Sequence, residues 1–321
     1  MLRGSIVSAS LGAALEHHLF WKLKEKPTTS EAVAKDLGIP PHRCRAWLDL
    51  LAGLGLLERQ DETYAITAAT QAAILDTHSP ESWALLAQEA RAAYPAGDDL
   101  TRHIGHPGSV WEAQGRDRRD HYGHMAEDPD WARRFTQMLY EYHQPLAKEL
   151  VDTLDLTGVA RLLDLGGGSG VNSMALLRQQ PEMEAVVVDV ATVCDAGRTI
   201  AAGTEMGERI TYHPADFLED DLPSGFDLIL ESDVGIHNTE LFRRLRGSLN
   251  PGGRIVIVDN LVQEGVPTSI AWLRQAFLSS LSDPNARIRS AADVKAALRE
   301  AGYTVIAERT LEGGVLIEAR L

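Results

Sequence analysis

The chain has 321 residues, of which 44% are hydrophobic and 24% charged, enough apolar content for two packed domains and too much for a disordered chain. Its formal net charge of −15 speaks against a nucleic-acid partner, because phosphate backbones are held by a basic face. Two distant cysteines, Cys44 and Cys194, make neither a disulfide framework nor a zinc motif; no apolar run reaches the roughly 18–20 residues of a membrane span, so a reducing cytoplasm fits best.

"SIVSASLGAAL" runs straight into "EHHLFWKLKEK" and reads as an amphipathic first helix, not a secretory leader. "TTSEAVAKDLG" opens with Thr28 and carries Glu31 three positions on, a capping-box pattern, and Gly38 ends the helix. In "PPHRCRAWLDLLAGLG", Pro41 suits a first helical turn, and Trp47, Leu50, Leu51 and Leu54 recur at helical spacing as the expected buried face. "LLERQDETYAIT" then gives strand, polar turn, strand. Helix, turn, helix and two-stranded wing make a winged-helix unit.

DNA binding is the first thought for such a unit, yet residues 1–100 hold nine Lys/Arg against thirteen Asp/Glu. Only Arg43 and Arg45 cluster on its second helix, whereas counterion release needs several cations together. A structural or dimerising role is favoured. "LGAALEHHLFW" and "WLDLLAGLGLL" are apolar on more faces than a small domain buries alone, which predicts a two-fold homodimer.

Residues 119–157 read as connecting helices, with Asp128 or Asp130 capping "DPDWARRFTQMLYEYHQPLAKELVDTLDL". Its aromatic-rich stripe is either core or pocket lining; Tyr142 and His143 are the residues expected to face an acceptor. From Arg161 strands alternate with helices: "RLLDLGGGSG", "EAVVVDV", "RITYHPADF", "FDLILES" and "GRIVIVDN". That alternation means a mostly parallel sheet with helices on both faces. "YTVIAERTLEGGVLIEAR" closes it as a hairpin across Gly313 and Gly314.

Gly166, Gly168 and Gly170 follow the first of these strands and open a helix, so backbone amides can approach a ligand closely. Val171 breaks both the dinucleotide fingerprint and the nucleophile elbow, and no Walker lysine follows. Acids stand where a phosphate site would not want them. Asp164 precedes the glycines, Asp189 ends the second strand about 20 residues on, and Asp216 follows the third beside Phe217. A ligand with a ribose, an adenine and a cationic end suits this set, and S-adenosylmethionine has all three.

"LLDLGGGSG", "VVVDV", "ITYHPADF", "LNPGGRIVIVD" and "LIEAR", with "PTTSEAVAKDLGI", "WLDLLAGLGLLER" and "TYAIT" before them, resemble the ordered motifs of class I O-methyltransferases with an N-terminal winged-helix dimerisation domain. Hydroxyindole and caffeate O-methyltransferases and bacterial natural-product tailoring enzymes belong to that family. The resemblance covers nearly the whole chain. It implies a seven-stranded Rossmann-like methyltransferase sheet, a mainly α dimerisation domain over residues 1–100, connecting helices over 101–157 and a cofactor-binding domain over 158–321. It further implies a cytoplasmic homodimer that methylates a small natural-product-like hydroxyl acceptor. Gly166, Gly168, Asp189, Asp216 and Phe217 become cofactor contacts, with Asp164 and Ser232 counted among them. Trp272 joins His143 and Tyr142 as an acceptor contact.

In that family a histidine after the fourth strand takes the acceptor's proton, held by an acid at the end of the next strand. His237 and Asp259 occupy these places, with Asp233 close by. The family's Asp-Trp after the histidine is Asn238-Thr239 here, and the segment to Leu249 is shorter. General base, positioning residue and metal ligand therefore all stay open for His237, and no metal set is assigned. Methylation of an activated carbon, a changed reaction in a cofactor-binding relative, and a winged-helix regulator that senses the cofactor are the rival readings.

Overall fold

The computed structural model describes residues 4–97, 100–115, 121–283, 286 and 289–321. The chain divides into two compact units, Met1–Asp98 and Asp99–Leu321. In the first, helices Gly4–Glu16, Leu19–Glu25, Ser30–Leu37, Pro41–Gly53 and Pro80–Ala92 surround a three-stranded antiparallel sheet. Its strands are β1 (Thr28–Thr29), β2 (Leu57–Gln60) and β3 (Thr63–Ile66), in the order β1-β3-β2.

Two local expectations are corrected here. Thr28 and Thr29 pair with Tyr64 and Thr63 as an edge strand and the helix begins at Ser30, so the cap is Thr29 and not Thr28; its hydroxyl accepts from Ala32 N at 3.3 Å. The helix Pro41–Gly53 buries Cys44, Leu48 and Leu51, while Leu54 is 41% exposed and Trp47 half-buried. A thiol counts as a small hydrophobe, and including Cys44 rotates the buried stripe away from the one that ignores it.

The second unit holds a seven-stranded sheet of β4 (Arg161–Leu165), β5 (Glu184–Asp189), β6 (Ile210–Pro214), β7 (Phe226–Ser232), β8 (Leu249–Asp259), β9 (Thr304–Leu311) and β10 (Gly314–Arg320). The order is β6-β5-β4-β7-β8-β10-β9, parallel from β6 to β8 and antiparallel around β10. Helices Val171–Gln179, Ala191–Ala202 and Thr239–Leu245 connect the parallel strands; Ile270–Ser282 and Ala291–Glu300 lie between β8 and β9.

Both faces are covered, which is why the strands are near-continuous apolar runs. Side chains alternate between the faces. Leu162, Val187, Leu228, Leu230, Val256 and Val258 belong to one core; Leu163, Leu165, Ile229, Ile255 and Ile257 belong to the other. The same parity sorts the acids. Asp164 and Asp189 fall on the first face, and Glu231 and Asp259 on the second.

Candidate active site

Strand order reverses at β4, which has β5 on one side and β7 on the other, and an open α/β sheet binds ligands beyond the strand carboxyl ends at such a point. Nearly every candidate residue lies there. Gly166, Gly168 and Gly170 have φ of 64°, 57° and 75°, a region in which other residues are strained. Val234 covers the first of them: a Cβ on Gly166 would meet its Cγ2 at 2.6 Å, with the Phe217 ring at 3.7 Å. A Cβ on Gly168 would meet nothing within 4 Å, so the loop is open above that residue. Tyr212 props the loop, its hydroxyl donating to the Ser169 carbonyl at 2.7 Å.

Asp164 lies beneath the loop, fully buried, and accepts from the Ser173 hydroxyl at 2.6 Å; a Cβ on Gly167 would come 2.4 Å from its carboxyl carbon. Burial raises its pKa to about 7. Solvent does not reach this carboxyl, so a ligand on the loop meets glycine backbone first. Asp189 faces the loop: Gly168 N donates to Oδ2 at 3.0 Å and Val190 N to Oδ1 at 2.8 Å. Burial raises it to about 6 against these bonds, and each oxygen keeps a lone pair for a further donor. Asp216 is exposed and closes its own turn, accepting from Leu218 N at 2.9 Å. Ser232, half-buried, ends β7 opposite Val258.

His237 sits on the other face. Its side chain is wholly buried, with Nε2 2.9 Å from Glu231 Oε2 and 3.4 Å from Asp259 Oδ2. Arg289 Nη1 lies 3.2 Å from Nδ1. A guanidinium only donates, so Nδ1 accepts and Nε2 carries the proton, which points at the two carboxylates. Burial raises the pKa of Glu231, partly countered by the His237 bond; burial also raises Asp259, with the imidazole opposing and Asp233 reinforcing. Glu231 accepts a second bond, from Val234 N at 3.2 Å, and so holds both the histidine and the residue that covers Gly166.

Asp233 is 52% exposed and adopts φ 58°, a strained left-handed conformation at the strand end. Its carboxylate is 3.5 Å from His143 Nε2, so the connecting helices deliver His143 to this end of the sheet. Tyr142 packs edge-on against His143 but is 55% exposed. Trp272 donates from Nε1 to the Asn260 carbonyl at 2.9 Å, tying the helix Ile270–Ser282 to the end of β8.

Glu231 and Arg289 were not among the sequence candidates. Glu231 had a signal, a carboxylate interrupting the apolar run "FDLILE"; Arg289 had none. Among the described residues, Glu231, His237 and Asp259 are also the one group whose ligand atoms all lie within 4.8 Å, as a metal would require.

A family model described as the O-methyltransferase domain matches residues 101–304, and one described as the O-methyltransferase dimerisation domain matches residues 1–75. The chain is 27% identical to L-tyrosine C(3)-methyltransferase of Streptomyces lavendulae over 312 residues, covering 94% of this chain and 85% of that protein. It is 30% identical to 3-hydroxy-5-methyl-1-naphthoate 3-O-methyltransferase of Streptomyces sahachiroi over 262 residues, covering 79% and 74%. Human N-acetylserotonin methyltransferase, solved in complex with S-adenosylmethionine, shares the fold with a TM-score of 0.82 at 21% identity, over 99% of this chain and 95% of that one. The chain belongs to the O-methyltransferase family: it is a methyltransferase, its cofactor is S-adenosylmethionine, and it carries the family's dimerisation domain.

Proposed function

We propose that this enzyme methylates the hydroxyl of a small aromatic natural product, with His237 as the base that takes the hydroxyl proton. One observation carries the reading: a buried imidazole, donating from Nε2 to Glu231 at 2.9 Å, stands one strand away from the glycine loop. A carboxylate behind Nε2 orients the ring, leaves the lone pair on Nδ1, and stabilises the cation formed when Nδ1 takes a proton.

When bound, S-adenosylmethionine supplies a methyl group on a sulfonium. The open loop at Gly168 and the free lone pairs of Asp189 fit its ribose hydroxyls, and Phe217 and Val234 beside Gly166 fit an apolar adenine face. We assign Gly166, Gly168, Asp189, Asp216, Phe217 and Ser232 to the cofactor and give Asp164 the support of the loop from below. Glu231 and Asp259 hold His237, while Asp233, His143, Tyr142 and Trp272 line the acceptor side. Methyl transfer then needs chiefly in-line placement of the acceptor oxygen, whose proton passes to Nδ1.

Residues 1–100 serve as dimerisation domain, 101–157 as connector and 158–321 as cofactor-binding domain, in a cytoplasmic homodimer. No helix among the described residues is long and apolar enough to cross a membrane, in keeping with that location.

A second reading is supported by the relative named for C(3)-methylation of L-tyrosine. Removing a phenol's proton activates its ring carbon next to the oxygen as well as the oxygen, so the same base serves either outcome. Transfer from methyl-labelled cofactor to a panel of phenols tests both. Label on oxygen supports the first reading and label on ring carbon the second. His237→Ala should lower kcat by about 10²–10⁴-fold with S-adenosylhomocysteine affinity retained. Near-normal kcat in that variant refutes the base, and absence of any cofactor affinity in the wild type refutes the whole reading.

A further inference from the structure

We propose that Arg289 is the acceptor's anion-binding residue, so that the site takes phenols which also carry a carboxylate. The proposal rests on the methyltransferase reading above and adds the substrate class.

Arg289 has an unusual partner. The chain carries −15, yet among the described residues no carboxylate lies within ion-pair distance of this guanidinium, and the one side-chain partner there is the His237 ring. The nearby acids are engaged elsewhere. Glu231 holds His237 and Val234 N, and Asp259 faces Nε2 and accepts from Asn260 N at 2.6 Å. The backbone at Arg289 is fixed, because its carbonyl accepts from Val262 N at 3.0 Å and Ser290 caps the helix Ala291–Glu300. A pinned backbone thus presents a half-buried cation that is near enough to Asp259 to lower its pKa but, among the described residues, within ion-pair distance of no carboxylate.

A neutral imidazole is a weak partner for a guanidinium, and a carboxylate makes shorter and stronger charge-assisted bonds. An acceptor carboxylate reaching Arg289 therefore draws it off Nδ1. Nδ1 is the atom that must receive the hydroxyl proton, so binding of the anion and release of the base are one event. An acceptor lacking the anion leaves Arg289 on the lone pair, which makes the residue a determinant of specificity.

The test uses full-length enzyme saturated with S-adenosylhomocysteine, titrated by calorimetry with 3-hydroxybenzoate, 3-hydroxy-2-naphthoate and L-tyrosine, each against its methyl ester. The wild type should bind at least one acid about tenfold more tightly than its ester, the scale of one charge-assisted bond. In Arg289→Ala that ratio should collapse towards one, and Arg289→Lys should retain part of it, because a point charge replaces the planar fork. If no acid binds better than its ester in the wild type, or if the preference persists in Arg289→Ala, the proposal is overturned. Titration with S-adenosylhomocysteine beforehand separates the cases: failure at that step condemns the methyltransferase reading or the variant's fold, and failure only at the acids condemns the role of Arg289.

Discussion

Glu231→Gln keeps the side chain's size and removes one acceptor. The carboxylate receives two donors, the His237 ring at 2.9 Å and the Val234 amide at 3.2 Å, in a place solvent does not reach. An amide offers one oxygen, so one buried donor is left facing an –NH2 group. The histidine cannot escape by exchanging tautomers, because a proton on Nδ1 would face the Arg289 guanidinium, which also donates. A buried donor left unpaired costs about 1–3 kcal/mol, or roughly 2–12 °C in midpoint for a unit of this size. Asp259, 3.4 Å from Nε2, takes up part of the ring N–H and sets the loss towards the lower end. Turnover should suffer more than stability, because the imidazolium formed on proton transfer loses its nearest carboxylate; a fall of about 10²–10⁴-fold in kcat is expected. Thermal melts, steady-state kinetics and calorimetry with S-adenosylhomocysteine, run on one preparation, read the three effects separately. Wild-type kcat and midpoint together would refute the reasoning, for then the carboxylate neither holds the ring nor answers its charge.

Gly166→Ala puts a Cβ at φ 64° and 2.6 Å from Val234 Cγ2, so it should weaken S-adenosylhomocysteine by about tenfold or more and lower the midpoint. Gly168→Ala, with nothing within 4 Å, should weaken the ligand with a smaller effect on the fold, and equal midpoints in the two variants would count against the packing described. The Asp189 carboxyl is raised to about 6 in the folded chain, so its contribution to stability is present below about pH 4 and is lost as pH rises through 6. If Asp189 holds the ribose hydroxyls as proposed, they donate to its ionised form, so affinity for S-adenosylhomocysteine should climb with pH up to about 6 and then level, and Asp189→Asn should flatten that rise. Light scattering at tens of micromolar should find twice the chain mass of 35.1 kDa, and a monomer there would contradict the dimer.

The strands were legible because both faces of the sheet are buried, which leaves apolar runs such as "EAVVVD" and "RIVIVD" that few other structures tolerate. The glycine loop was legible because three residues of positive φ within five positions write a backbone requirement directly into composition. The cap falls one residue later than the pattern suggests, since both threonines pair with the distant strand β3 and the helix starts only at Ser30. Cys44 is buried with Leu48 and Leu51, so a stripe drawn through Trp47, Leu50, Leu51 and Leu54 alone points partly away from the core. In each case the missing information was a contact between residues distant in sequence.

His237 shows the same gap at the level of one proton. The sequence leaves base, positioning residue and metal ligand open, because each role needs only an imidazole with acids nearby. The roles differ in where the ring's lone pair points. A metal held by Glu231, His237 and Asp259 needs that lone pair on Nε2, which places the ring proton on Nδ1, against a guanidinium that cannot accept it. A base served by Glu231 needs the reverse: proton on Nε2, lone pair on Nδ1. Arg289, 52 positions further along the chain, donates to Nδ1 and so holds the ring in the base's tautomer. The same contact caps the lone pair until something draws the cation away. A residue without any motif of its own thus favours the base reading over the metal reading, and on the proposal above it would make the base conditional on what the acceptor carries.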